Sequence, residues 1–112
     1  LKTVRMGIKT YIQCSDVPSM LSKIPIELDK IRAGDLDKEV LRVGIIAELD
    51  AINLYEQMAN MVRDERIRKV LLDIAREEKT HVGEFLALLL DIDREQEKEL
   101  EEGKKEVEEL GE

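Results

Sequence analysis

From residue 36 to residue 92 the apolar positions recur at alternating steps of three and four, the spacing of helices that bury one face. In the later half the stripe reads Ile67, Leu71, Ile74, Glu78, His81, Phe85, Leu88, Ile92. In the earlier half it reads Leu41, Gly44, Ile45, Glu48, Ile52, Tyr55, Ala59, Val62. No proline interrupts Leu36 to Val62, and Gly44 is the only glycine there, so the pattern predicts one helix of about 40 Å. Asp35 suits its N-cap, and Asp37 and Glu39 suit the positive end of the helix dipole. A short turn at Arg63–Asp64 leads into a second helix, from about Glu65 to Leu90. So short a connection makes the two an antiparallel hairpin. A third helix, from near Asp91–Asp93 to Leu110, is mostly Glu and Lys. Its thin stripe of Leu100, Val107 and Leu110 predicts weak packing or a projecting arm.

Residues 1–35 break the pattern. Gly7, Pro18, Pro25 and Gly34 punctuate short apolar patches such as Ile8, Tyr11 and Ile12, and Pro25 blocks any long helix across it. The expected organisation is a loop-rich arm over 1–35 and an all-α domain over 36–112.

Three polar residues interrupt the apolar stripes. Glu78 and His81 are adjacent along the second stripe, and Glu48 breaks the first. Burying a carboxylate or an imidazole costs several kcal/mol unless something binds it. Glu48 and Glu78 lie nearly the same number of residues from the turn at Asp64, so the antiparallel hairpin brings them to one level. Glu78 and His81, at i and i+3, project from one face of their helix. A Glu from one helix and Glu-x-x-His from the next form half of a metal site. Bridging carboxylates with imidazole suit iron or manganese, and the lack of cysteine in the cluster disfavours structural zinc. The di-iron helical-bundle recipe needs one Glu from each of two helices and Glu-x-x-His from each of two others. This chain carries one of each, so two copies about a two-fold axis complete the set. The expected architecture is therefore a hairpin that dimerises into a four-helix bundle.

The remaining residues rank below these. Glu77 shares its face with Asp73, Thr80 and Glu84 and is expected in solvent. Tyr55 reads either as a hydrogen-bond donor close to the site or as a core aromatic. Met58 and Met61 read as packing, Asp50 and Glu84 as surface decoration rather than an acidic approach, and Cys14 as inert.

Composition narrows the function classes. At 112 residues the chain fits one domain, small enough that a partner chain or a metal would help its core. Apolar residues at 43% and charged residues at 39% suit long helices with solvated outer faces. Aromatics at 3% argue against stacking on single-stranded nucleic acid, and a formal net charge of −8 argues against phosphate backbones. The densest basic cluster, Arg63, Arg66, Arg68 and Lys69, is interleaved with Asp64, Glu65 and Asp73. No nucleic-acid partner is expected. Neither a transmembrane run nor a signal-peptide core is present, and a single cysteine gives no sign of an oxidising compartment, so a cytoplasmic protein without a membrane partner is expected.

The stretches Ile46-Ala47-Glu48-Leu49-Asp50-Ala51-Ile52-Asn53-Leu54-Tyr55-Glu56-Gln57-Met58-Ala59 and Ala75-Arg76-Glu77-Glu78-Lys79-Thr80-His81-Val82-Gly83-Glu84-Phe85 resemble the encapsulated ferritin-like proteins. The resemblance runs from Leu36 to near the C-terminus. It implies hairpins that dimerise into a ferritin-like four-helix bundle with a di-iron ferroxidase centre between the chains. It also implies a ring of dimers housed within an encapsulin shell, as cargo or as a fused N-terminal domain. On the matching motifs, Glu48, Glu78 and His81 would be the metal ligands, and Tyr55 would match a tyrosine beside the site. Such a ring would oxidise Fe(II), and the shell would hold the product. Two departures stand out. Ala47 precedes Glu48, which leaves only Asp50 of the extra acidic residues some members use for metal uptake. Neither the arm over 1–33 nor an encapsulin-targeting tail after Leu110 matches. Two other readings compete: a rubrerythrin-like peroxidase or manganese catalase using similar ligands, and a metal-free dimerisation module in which Glu48 simply pairs with His81.

Overall fold

In a computed structural model, which describes residues 27–111, the chain is all-α: a two-helix hairpin followed by a third helix. Residues 1–26, including Cys14 and most of the expected arm, lie outside the described residues. Helix α1 spans Leu36–Met61, α2 Glu65–Ile92 and α3 Arg94–Leu110. Before α1 the chain makes one short 3-10 turn, Leu28–Lys30, and then bends at Gly34, whose φ of +95° favours glycine.

The turns follow local chemistry. Asp64 caps α2 by accepting a hydrogen bond from the Arg66 amide at 2.8 Å, and the Arg68 guanidinium donates to the Val62 carbonyl at 2.9 Å. Only Asp93 separates α2 from α3. Its carboxylate accepts from the Gln96 amide at 3.1 Å and from Arg42 of α1 at 3.0 Å, so one residue starts α3 and ties it to the open end of the hairpin. Asp35 takes the N-cap position of α1 but makes no capping hydrogen bond. Its backbone is helical there, and its carboxylate pairs instead with Arg32 at 3.4 Å and Lys38 at 3.7 Å.

The core is a narrow seam between α1 and α2. Ile52 and Ala59 of α1 are buried with Leu71, Ala75 and Leu89 of α2. Alanine at two of these five positions keeps the seam narrow, Ala59 near the turn and Ala75 further along α2. On α2 the seam is rotated from the stripe read in the sequence, because the chain's own hairpin takes only part of that face. Ile67, Leu88 and Ile92 remain about half exposed, and so do Val40 on α1 and Val70 on α2. Helix α3 buries none of its residues, in line with its thin stripe, and Leu110 at its end is 87% exposed.

Candidate metal centre

Glu48 reaches the seam from the middle of α1, and Glu78 and His81 reach it from the middle of α2. The antiparallel register brings the three to one level, as equal spacing from the turn predicts. Their potential ligand atoms all lie within 4.8 Å of one another. Two donors on one small cation, with bonds of about 2.1 Å, can be no more than about 4.2 Å apart. The 4.8 Å spread is therefore close to what one shared ion requires.

His81 Nδ1 is 2.7 Å from Glu48 Oε2 and 3.1 Å from Glu78 Oε1. One ring N–H thus serves two carboxylates, which themselves only accept when ionised. The Glu48 and Glu78 side chains are 16% and 17% exposed, against 45% for His81. The cluster sits at the edge of the seam, with the imidazole facing outward onto the uncovered side of α2.

The electrostatics are those of a site short of positive charge. The Glu78 carboxyl is held above its ordinary value, first by a hydrogen bond shared with Glu48, then by burial and by the Glu48 charge, with His81 opposing. For His81 the largest single influence is burial, which lowers its pKa. The Glu48 charge and hydrogen bond, with Glu78 and Glu84, outweigh it and leave the imidazole above its ordinary value. A divalent cation would replace the shared protons and satisfy both carboxylates, so the donor set fits a hard or borderline metal.

These shifts predict how the metal-free chain responds to pH. Both groups bind protons more tightly folded than unfolded, so their stabilisation is complete below the unfolded values and is lost as pH rises. The loss begins above 4.5, the ordinary value for Glu78, and finishes above 6.5, the ordinary value for His81. Chelator-treated protein should lose denaturant resistance between about pH 5 and pH 8, and Glu48→Gln should flatten the slope. Equal slopes in the two proteins would show that the cluster does not govern it.

Of the other residues considered, Glu77 is exposed and outside the cluster, as expected. Tyr55 is half-buried two turns along α1 from Glu48 and makes no hydrogen bond to any of the three. Asp50 is half-buried, and Glu84 is exposed one turn past His81, close enough for its charge to act on the imidazole. Met58 is half-buried, and Met61 projects into solvent. Two features escaped the sequence reading. Lys79 and Glu56 form an ion pair across the hairpin at 3.4 Å, and Phe85 lies against Gly44. A glycine inside a helix, on the stripe and at the level of the chain's only phenylalanine, was the available signal for the second. Among the described residues no helix is long and apolar enough to cross a membrane.

Comparison with known proteins finds related chains. The rubrerythrin family model matches residues 39–111. A ferritin-like–encapsulin shell fusion protein of Pyrococcus furiosus is 60% identical over 93 residues, which are 81% of this chain. The matched segment spans only 27% of that relative's length. The crystal structure of an encapsulated ferritin domain from Pyrococcus furiosus superposes with a TM-score of 0.68 at 58% identity, covering 80% of this chain and 92% of that domain.

Proposed function

On the premise that the chain belongs to the rubrerythrin family, among its encapsulated ferritin-like members, we propose that it is a ferroxidase whose di-iron site forms between two copies. The observation that carries this reading is the convergence of Glu48, Glu78 and His81 within 4.8 Å at the edge of the hairpin seam. We take the ferritin-like unit to begin at residue 36, where the hairpin begins.

Each hairpin supplies two carboxylates and one imidazole. The pair then offers four Glu and two His, the full di-iron set. Partly exposed apolar side chains on the His81 side, Ile67, Val70, Leu88 and Ile92, support pairing through that face. Fe(II) is the substrate. Glu48 and Glu78 hold it and stabilise the higher charge of Fe(III), His81 completes the set, and the electrons pass to dioxygen or peroxide. Because Glu78 and His81 both hold protons more tightly than usual, iron competes with protons for them. Tyr55 serves as a hydrogen-bond donor beside the site once the pair has formed. The resemblance to the encapsulated ferritin-like proteins suggests a ring of further copies as partners, and the fusion relative suggests an encapsulin shell, inside which the oxidised iron is kept in the cytoplasm.

The test is aerobic oxidation of Fe(II) by purified protein, followed by Fe(III) absorbance. Saturable oxidation well above the buffer rate is expected, and a rate equal to buffer would refute the ferroxidase. Because the matching family is rubrerythrin, peroxide should be assayed alongside, and with manganese as well as iron. Faster turnover of peroxide than of Fe(II) would favour a peroxidase or a manganese catalase.

A further inference from the structure

Gly44 stands one turn before Glu48 on α1, and Phe85 one turn after His81 on α2. In the antiparallel hairpin they meet across the seam next to the cluster, on the side away from the connecting turn. A Cβ added at Gly44 would lie 3.1 Å from Phe85 Cε2, 3.2 Å from Cδ2 and 3.3 Å from Cζ. The ring therefore rests on bare backbone of α1. Two other glycines inside helices, Gly83 and Gly103, would meet nothing within 4 Å. Glycine weakens a helix interior, and only at Gly44 does the missing side chain make room for a neighbour.

We propose that Gly44 and Phe85 are positioning residues for the metal centre: their contact sets how closely α1 and α2 approach beside the cluster. The proposal rests on reading that cluster as a metal site. Glu48 comes from one helix and Glu78 and His81 from the other, so the interhelix distance governs the gap the ion must fill. On the turn side that distance is fixed by the chain and by the small buried residues Ala59 and Ala75. On the open side Leu89 is buried one turn further along α2 and the Arg42–Asp93 ion pair, 47% exposed at the arginine, lies beyond it, so the Phe85 ring is the packed spacer nearest the cluster. Packed interiors resist compression, and metal–ligand distances tolerate only about 0.2 Å. A spacer changed by a few tenths of an ångström therefore acts on the metal before it acts on the fold.

The test compares wild type, Gly44→Ala and the double variant Gly44→Ala/Phe85→Leu as full chains under anaerobic conditions. Co(II) is the probe, read by equilibrium dialysis and by its visible ligand-field bands, with thermal melts of the metal-free proteins. Gly44→Ala should weaken Co(II) binding about tenfold and shift the bands while the metal-free melt holds or rises, since alanine favours helix. The double variant, whose shorter side chain leaves room for the new methyl, should recover affinity and bands. A single variant that binds as wild type with unchanged bands, or a double variant no better than the single, would overturn the proposal. Wild type that takes up no Co(II) would overturn the metal reading itself and the spacer with it.

Discussion

Glu48→Ala is expected to abolish tight Fe(II) binding while leaving the helices in place. Glu48 is the only member of the cluster that α1 supplies, and its oxygen is the one nearest the imidazole, at 2.7 Å. Without it each hairpin retains only Glu78 and His81, neighbours on one helix, and the pair of chains drops from six ligands to four. Losing residues that merely support a metal ligand costs about 10–100-fold in affinity, so losing a ligand should cost about 100-fold or more. The fold has little reason to suffer. The hydrogen bond shared with Glu48 is the first cause of the raised Glu78 pKa, and the Glu48 charge adds to it. Removing that carboxylate ends the shared hydrogen bond and the like-charge contact together and leaves His81 with Glu78 as its remaining partner, a small change for the metal-free helices. An ion bound only by the folded state stabilises it by about 2.7 kcal/mol at a concentration 100 times its dissociation constant, so Fe(II) should raise the melting temperature of wild type and not of the variant. Anaerobic titration with native mass detection reads the rest. Wild type should saturate at two irons per pair, and the variant should show none. A variant that still takes up two irons per pair would remove Glu48 from the ligand set. Melts indifferent to metal in both proteins would leave a structural hairpin in which Glu48 and His81 simply share a hydrogen bond.

That the cluster could be read from sequence has a physical reason. A carboxylate inside an apolar stripe is costly, so Glu48 and Glu78 stood out, and equal distance from one short turn fixes which residues of a hairpin meet. Helix limits were legible because Asp64 and Asp93 cap as their chemistry suggests. Asp35 takes the N-cap position that its residue type suggests, but Arg32 and Lys38 hold its carboxylate in place of a capping hydrogen bond. The α2 stripe was read as one buried face, whereas the hairpin buries Leu71, Ala75 and Leu89 and leaves Ile67, Leu88 and Ile92 half exposed. Periodicity shows that a face is apolar but not whether one neighbour or two will cover it. The Gly44–Phe85 contact was hidden for a related reason: stripes give the level at which residues meet, and only coordinates give the distance.

Val70→Asp is expected to split the pair and, through it, to weaken the metal site without touching a ligand. Val70 is 58% exposed in the single chain. It lies two turns before Glu78, on the same side of α2 as His81. A substitution at so exposed a position costs an isolated hairpin within about 0.5 kcal/mol. In a two-fold pair the change occurs twice, because the same patch lies on both sides of the interface. Each copy then forfeits burial of a valine, about 1.5 kcal/mol or more, and brings a carboxylate against an apolar surface, which adds further cost. About 3 kcal/mol in total already lowers the association constant by roughly 100-fold. Sedimentation should show wild type paired and the variant largely single, with equal helicity by circular dichroism. Iron affinity should fall with pairing, and Fe(II) in excess should draw the variant back toward the pair, since a ligand held only by the assembled form favours assembly. A variant that stays paired and loads iron as wild type does would move the contact to another face. The three ligands of one hairpin would then have to hold their ion alone.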